Sequence, residues 1–339
     1  MKEKKQLKLF LLIAFALPYL LGIVMGYAYY RGMDVTCFAN AQMFYPAAGI
    51  MLATLLVKKE DPLIPKRFYI CFITLTAAIL LVTVGSVIIP DMQGMALLNG
   101  VIIIGSLVSW IFLLIEHKEK RAAYGLTGAH AKMSVVMVAL FLLLYFGRFF
   151  LSALLGGSLD ETVNLFKDST FYSIALLSLP INFFLIFTTF FGEEYGWRYY
   201  FAPYLQKRFG KIKGVLLLGV LWGIWHLPIN VFYYSPGTWL QSILAQQSTC
   251  IAMGIFFTYA YMKTNNIWVP VTLHFLNNSL IAALNYGDVS VISNQIISWG
   301  DLLVLVIVNG VLFVPFILAK EYRHGKLSET EEIQGKEII

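Results

Sequence analysis

The sequence predicts an all-α fold, a polytopic transmembrane helical bundle of about ten spans. Three observations carry this expectation. Hydrophobic residues are 59% of the 339 and charged residues 13%, against roughly 45–50% apolar and about 25% charged in a soluble globular chain. One core cannot hide that much apolar surface, so a bilayer must solvate much of it. Apolar runs lie near 7–30, 38–57, 68–89, 93–115, 133–156, 171–200, 214–234, 239–262, 267–286 and 296–319, each close to the roughly 20 residues that cross hydrocarbon. Finally, 22 of the 25 lysines and arginines fall in alternate connections between those runs.

The first run follows Met1-Lys2-Glu3-Lys4-Lys5 and so begins like a signal peptide. It extends from Leu7 to Tyr30 with no clear small-residue cleavage site, which is too long for a signal h-region; it reads as a retained first span. The second and eighth runs are diluted by Asn40, Gln42, Gln246 and Gln247. The sixth is expected to continue to Tyr200 before Pro203 breaks it. Gly22 with Gly26, and Gly219 with Gly223, have the spacing that lets membrane helices approach closely. Cys37, Cys71 and Cys250 form no ligand or redox pair and read as small packing residues. The tail from Lys320 is polar and mixed in charge, as expected of a solvated end.

The cations orient the spans. Lysines and arginines collect in cytoplasmic loops, and with the amino terminus inside they do so at 2–8, 58–67, 118–132, 198–213, 263 and 320–336. Only Arg31, Arg148 and Lys167 fall elsewhere. Both termini are therefore expected in the cytoplasm and the chain in the cell membrane. The net charge of +6 reflects this orientation, and nucleic acid is not an expected partner.

Ionisable groups in hydrocarbon are costly and mark functional sites. The first half of the chain has almost none; Arg148 is expected to snorkel toward the outer surface. The second half has several. Glu194 and Arg198 are four apart, share a helix face and can pair. That leaves Glu193, turned about 100° away, as the free carboxylate. The bland alternative is an interfacial carboxylate pair in an aromatic belt of Tyr195, Trp197, Tyr199 and Tyr200. His226 lies in the seventh run, where a lone histidine is often a packing residue. His274 and Asn278 stack on one face of the ninth. Counted from the cytoplasmic end, these groups reach comparable depth, about 10–18 Å along their helices. A carboxylate and an imidazole can activate water, and a second imidazole and an amide can donate to an oxyanion. The site is expected to be buried and to open to the cytoplasm.

These residues resemble those of a known family. Glu193-Glu194-Tyr195-Gly196-Trp197-Arg198 is similar to the E-E-x-x-x-R motif of the CAAX protease and bacteriocin-processing family, also called Abi. Trp222 to His226 resembles its F-x-x-x-H motif, with tryptophan as a conservative replacement, and His274 to Asn278 resembles its H-x-x-x-N motif. Tyr199 to Lys213, with Pro203 and Arg208-Phe209-Gly210, looks like the family's linker. The resemblance covers about 171–286. It implies an intramembrane peptidase in which Glu193 and His226 activate water, His274 and Asn278 form the oxyanion site, and Glu194 and Arg198 support it.

The chain accordingly divides into amino-terminal helices of unknown role (1–170), a protease core (171–286), a last span (287–319) and a polar cytoplasmic tail (320–339). The expected partners are the lipid bilayer and a peptide or membrane-protein substrate. The family links to peptide maturation, bacteriocin immunity or processing, peptide signalling and, in eukaryotes, trimming of prenylated CAAX proteins. A non-catalytic scaffold binding a sensor kinase or receptor is the alternative. A transporter ranks third, because the polar groups show no repeat symmetry. No cofactor is favoured. Zinc is possible, with Glu193, His226 and His274 as ligands and water in the fourth position, although no H-E-x-x-H spacing is present.

Overall fold

The computed structural model describes Lys2–Arg323. Among the described residues there is no strand. The main helices are α1 (Lys2–Tyr30), α2 (Thr36–Gln42), α3 (Tyr45–Val57), α4 (Lys66–Ile88), α5 (Gly94–Ile115), α6 (Ala131–Gly156) and α7 (Ser169–Phe209), then α8 (Lys211–Trp225), α9 (Leu227–Tyr234), α10 (Pro236–Thr264), α11 (Trp268–Leu284) and α12 (Trp299–Leu318). Among the described residues seven are single helices long and apolar enough to cross a membrane; α2 with α3, and α8 with α9, add two bent spans, at 42° and 41°. The expected count of about ten thus becomes seven to nine. The missing one is α11, whose 17 residues reach only about 25 Å. Asn265, in the left-handed region at φ 44°, delays its start, and the Asn285–Asp288 turn ends it.

The sixth span also differs from expectation. Pro203 does not break it: α7 runs on to Phe209, and the chain turns at Gly210 with φ 84°. A π-helical stretch, Tyr195–Phe201, precedes the proline. Its wider turns accommodate a residue that cannot donate to the helix ladder.

Hydrogen bonds tie the cation-bearing connections into one end of the bundle. Gln6 donates to Thr54 at 3.0 Å, Tyr124 to Asp61 at 2.6 Å, and the His130 ring bonds the Thr264 carbonyl at 2.8 Å. The first turn of the tail joins them rather than being solvated. Lys263 pairs with Glu321 at 2.9 Å, and the buried Tyr322 donates to the Ile255 carbonyl at 2.7 Å. The rest of the predicted tail, from 324 onward, lies outside the described residues.

The main apolar core draws on residues from Phe10 to Phe313, with two smaller clusters beside it around Met25 and around Val215. The small-residue spacings take their expected place at close approaches. A Cβ on Gly219 would fall 2.7 Å from the Ile251 Cα on α10, so the glycine lets α8 and α10 touch backbone to backbone. On Gly22 it would fall 2.8 Å from Pro228, which seats α1 against α9.

Candidate active site

The site forms where α8 breaks. Pro228 has no N–H to offer the Ile224 carbonyl. That carbonyl instead accepts the Tyr19 hydroxyl of α1 at 2.6 Å. The next orphan, the Trp225 carbonyl, accepts Gln42 Nε2 at 2.7 Å, while Trp225 itself donates to the Ala14 carbonyl at 2.7 Å. The His226 N–H turns back to the Gly223 carbonyl, freeing the Trp222 carbonyl. His226 Nδ1 meets that carbonyl at 2.8 Å. A carbonyl only accepts, so Nδ1 carries the proton and the neutral ring keeps a lone pair on Nε2.

Glu193 and Glu194 lie within α7 just before its π-helical stretch, and adjacent positions send them to different partners. Glu193 accepts two indole N–H groups on one oxygen, Oε2, from Trp222 at 2.7 Å and Trp197 at 3.2 Å. Oε1 is left for the cavity that Glu193 lines. Glu194 faces away from it. Its Oε1 accepts Arg198 Nη1 at 3.0 Å and meets His274 Nδ1 at 2.8 Å. Glu194 and Arg198 are both 0% exposed. The guanidinium also lies 4.1 Å from the Trp222 ring centroid and 5.3 Å from that of Phe257, which fits a cation over aromatic faces. The pairing expected from the four-residue spacing is therefore present. His274 holds Nδ1 against a carboxylate, so the ring's free nitrogen is again Nε2.

A cavity of about 130 Å³ joins the motifs. Glu193, His226, His274 and Asn278 all line it, from α7, the α8–α9 break and α11. Glu194 and Arg198 do not line it and stand behind. Asn278 departs from the expectation of a buried residue: it is exposed, and sits at the rim. The less buried lining residues, among them Ala39, Tyr234, Gln246 and Asn278, lie nearer the chain ends at Thr36, Pro236 and Leu284 than the opposite ends of their spans. The open part of the cavity is thus in the half of the bundle away from the lysine-rich connections, which corrects the expected opening on the cation side.

Several contributors were not legible in the sequence. Trp222 and Trp197 hold the carboxylate, whereas the first read as a conservative replacement and the second as part of an aromatic belt. Cys250 read as packing, yet it lines the cavity with its sulfur 3.8 Å from His226 Nδ1. Arg148 does not snorkel outward: it rests 4.9 Å from the Tyr145 ring centroid and donates to Asn277. Among the described residues no three His, Cys, Asp or Glu side chains are drawn together as a metal-binding group. Glu193, His226 and His274 share a cavity without forming a ready ligand set.

Fold and site together define a polytopic helical membrane protein with a glutamate, two histidines and an amide around one intramembrane cavity. Residues 174–280 match the family model described as type II CAAX prenyl endopeptidase Rce1-like. The resemblance seen in the three motifs is thereby established for this segment, about a third of the chain. The chain is also 32% identical over 136 residues to a protein named CAAX prenyl protease 2 from Methanococcus maripaludis, a match covering 38% of this chain and 48% of the relative. The match thus spans about half the length of that curated relative. No solved structure matches.

Proposed function

We propose that the chain is an intramembrane endopeptidase that hydrolyses a peptide bond with water activated by Glu193 and His226. The observation that supports this most is the meeting of four motif side chains from three helices at one cavity. Glu193 Oε1 and His226 Nε2 both present lone pairs there, and a water between them would be held by its two protons. As its oxygen attacks the scissile carbonyl carbon, one proton passes to Glu193, which then returns it to the leaving nitrogen. The oxyanion formed needs donors. Asn278 supplies an amide N–H. His274 supplies Nε2–H as an imidazolium, its other nitrogen held by Glu194; two carboxylates then face one guanidinium and one imidazolium, and the site is neutral. Glu194 and Arg198 position His274 and touch no substrate.

The name of the archaeal relative points to substrates ending in a prenylated CAAX sequence. Maturation of a secreted peptide, as in bacteriocin processing, is the other member of this substrate class. Purified full-length protein in detergent should be given a peptide ending in a farnesylated CAAX sequence and its unprenylated counterpart. Cleavage by the wild type and none by Glu193→Gln is the expected result. Undiminished cleavage by Glu193→Gln would remove Glu193 as the general base, and no cleavage by the wild type would leave the scaffold reading in its place.

A further inference from the structure

We propose that Arg148 and Asn277 are positioning residues that set the orientation of the Asn278 amide, turning its N–H edge into the cavity. This rests on the reading of Asn278 as an oxyanion donor. The observation is a chain of two hydrogen bonds between helices. Arg148 Nη2, from α6, donates to Asn277 Oδ1 at 3.3 Å, and Asn277 Nδ2 donates to Asn278 Oδ1 at 2.9 Å.

The direction of this chain follows from chemistry. An amide can face either way, since its oxygen and nitrogen are nearly the same size. A guanidinium has five donors and no acceptor. Asn277 must therefore present its oxygen to Arg148 and its NH₂ to Asn278. Asn278 must in turn present its oxygen to Asn277, and its NH₂ is left for the cavity that both asparagines line. The cation thus fixes the polarity of the last group, two residues away. A flipped Asn278 would offer a carbonyl oxygen to a developing oxyanion and repel it. Arg148 itself is held by the Tyr145 ring, one turn earlier on α6. The role also explains why an arginine stands within an apolar helix, where a charge is costly.

The test separates relay from simple helix pairing. Asn277→Asp still accepts from Arg148, and as an ion pair it should hold α6 to α11 at least as well. It cannot donate to Asn278. The relay predicts that full-length Asn277→Asp accumulates normally but cleaves the farnesylated CAAX peptide with kcat lowered about 100- to 1000-fold, the range for a lost oxyanion donor, and KM little changed. Arg148→Met should show the same kcat loss, and Arg148→Lys, which also only donates, should restore most of it. Wild-type kcat in Asn277→Asp would overturn the proposal. If Glu193→Gln is inactive in that same assay, the reading of the site survives and only the relay falls; if Glu193→Gln is active, both fall. A second measurement is independent of turnover. Melting temperatures of Arg148→Met, Asn277→Leu and the double variant should be non-additive. Additive shifts would show that the two side chains do not interact and would equally overturn the relay.

Discussion

The indole nitrogen of Trp222 lies 2.7 Å from Glu193 Oε2, and the carbonyl of the same residue lies 2.8 Å from His226 Nδ1. One residue therefore orients both groups proposed to activate water. Its side chain fixes the carboxylate, and its main chain fixes the imidazole tautomer. Trp222→Phe removes the first contact and keeps the second. It should fold normally, since phenylalanine is the residue of the related motif. Loss of a hydrogen bond to a charged group, worth about 1.5–3 kcal/mol, should lower kcat by about tenfold, moderated by the Trp197 contact that remains. Steady-state kinetics on the farnesylated peptide checks this; an unchanged kcat would make the indole contact incidental.

Arg198 and Glu194 test buried charge rather than chemistry. Arg198→Ala leaves a fully buried carboxylate with only His274 against it, and the loss should be about 3–5 kcal/mol. Abundance in the membrane and melting temperature in detergent should both fall. Glu193→Gln, which leaves that pair intact, should accumulate at wild-type level. Equal abundance of Arg198→Ala and wild type would place the guanidinium outside the stability of the site.

Metal removal separates two mechanisms. Nε2 of His226 is free to ligate, but Nε2 of His274 is proposed to carry a proton, Glu193 Oε2 already accepts two indoles, and Asn278 is a poor zinc ligand. Activity should persist after exhaustive treatment with a strong chelator, and elemental analysis should find zinc below one per chain. Activity lost to the chelator and restored by zinc would recast Glu193, His226 and His274 as ligands.

Orientation is testable without substrate. The cation-rich connections share one end of the bundle, and the positive-inside rule places that end in the cytoplasm. A cysteine introduced at position 120 should resist a membrane-impermeant thiol reagent applied to intact cells, and one at position 287 should react. The reverse pattern would turn the cavity's open half toward the cytoplasm.

The apolar runs were enough to locate the long helices of the bundle, because burial in lipid needs only length and hydropathy, whereas the short polar helices Lys118–Ala123 and Leu159–Lys167 lie between them. The site was legible for a related reason: Glu193, Glu194, Arg198, His226, His274 and Asn278 are costly in hydrocarbon and stand out. Residues with an unremarkable cost did not. Gln42, Gln246 and Gln247 looked like weaknesses in two spans. Gln42 satisfies a main-chain carbonyl at the break, Gln246 lines the cavity, and Gln247 donates to the Gly219 carbonyl at 3.2 Å. Pro203 looked like a terminator because helical spacing does not reveal a π-helical turn that absorbs it. Arg148 looked solitary because its partner is 129 positions away.

The links from Tyr19, Gln42 and Ala14 to the segment around His226 bear on how small a working version of this molecule can be made. The stretch that matches known proteins begins at residue 174, yet three of the polar contacts that hold its broken helix come from the first 42 residues. A chain trimmed to the matching stretch would leave the Ile224 and Trp225 carbonyls and the Trp225 indole facing lipid, where no water can replace the lost partners. Transplanting the three motifs onto another scaffold would meet the same obstacle. The matching third is not portable; the amino-terminal helices travel with it.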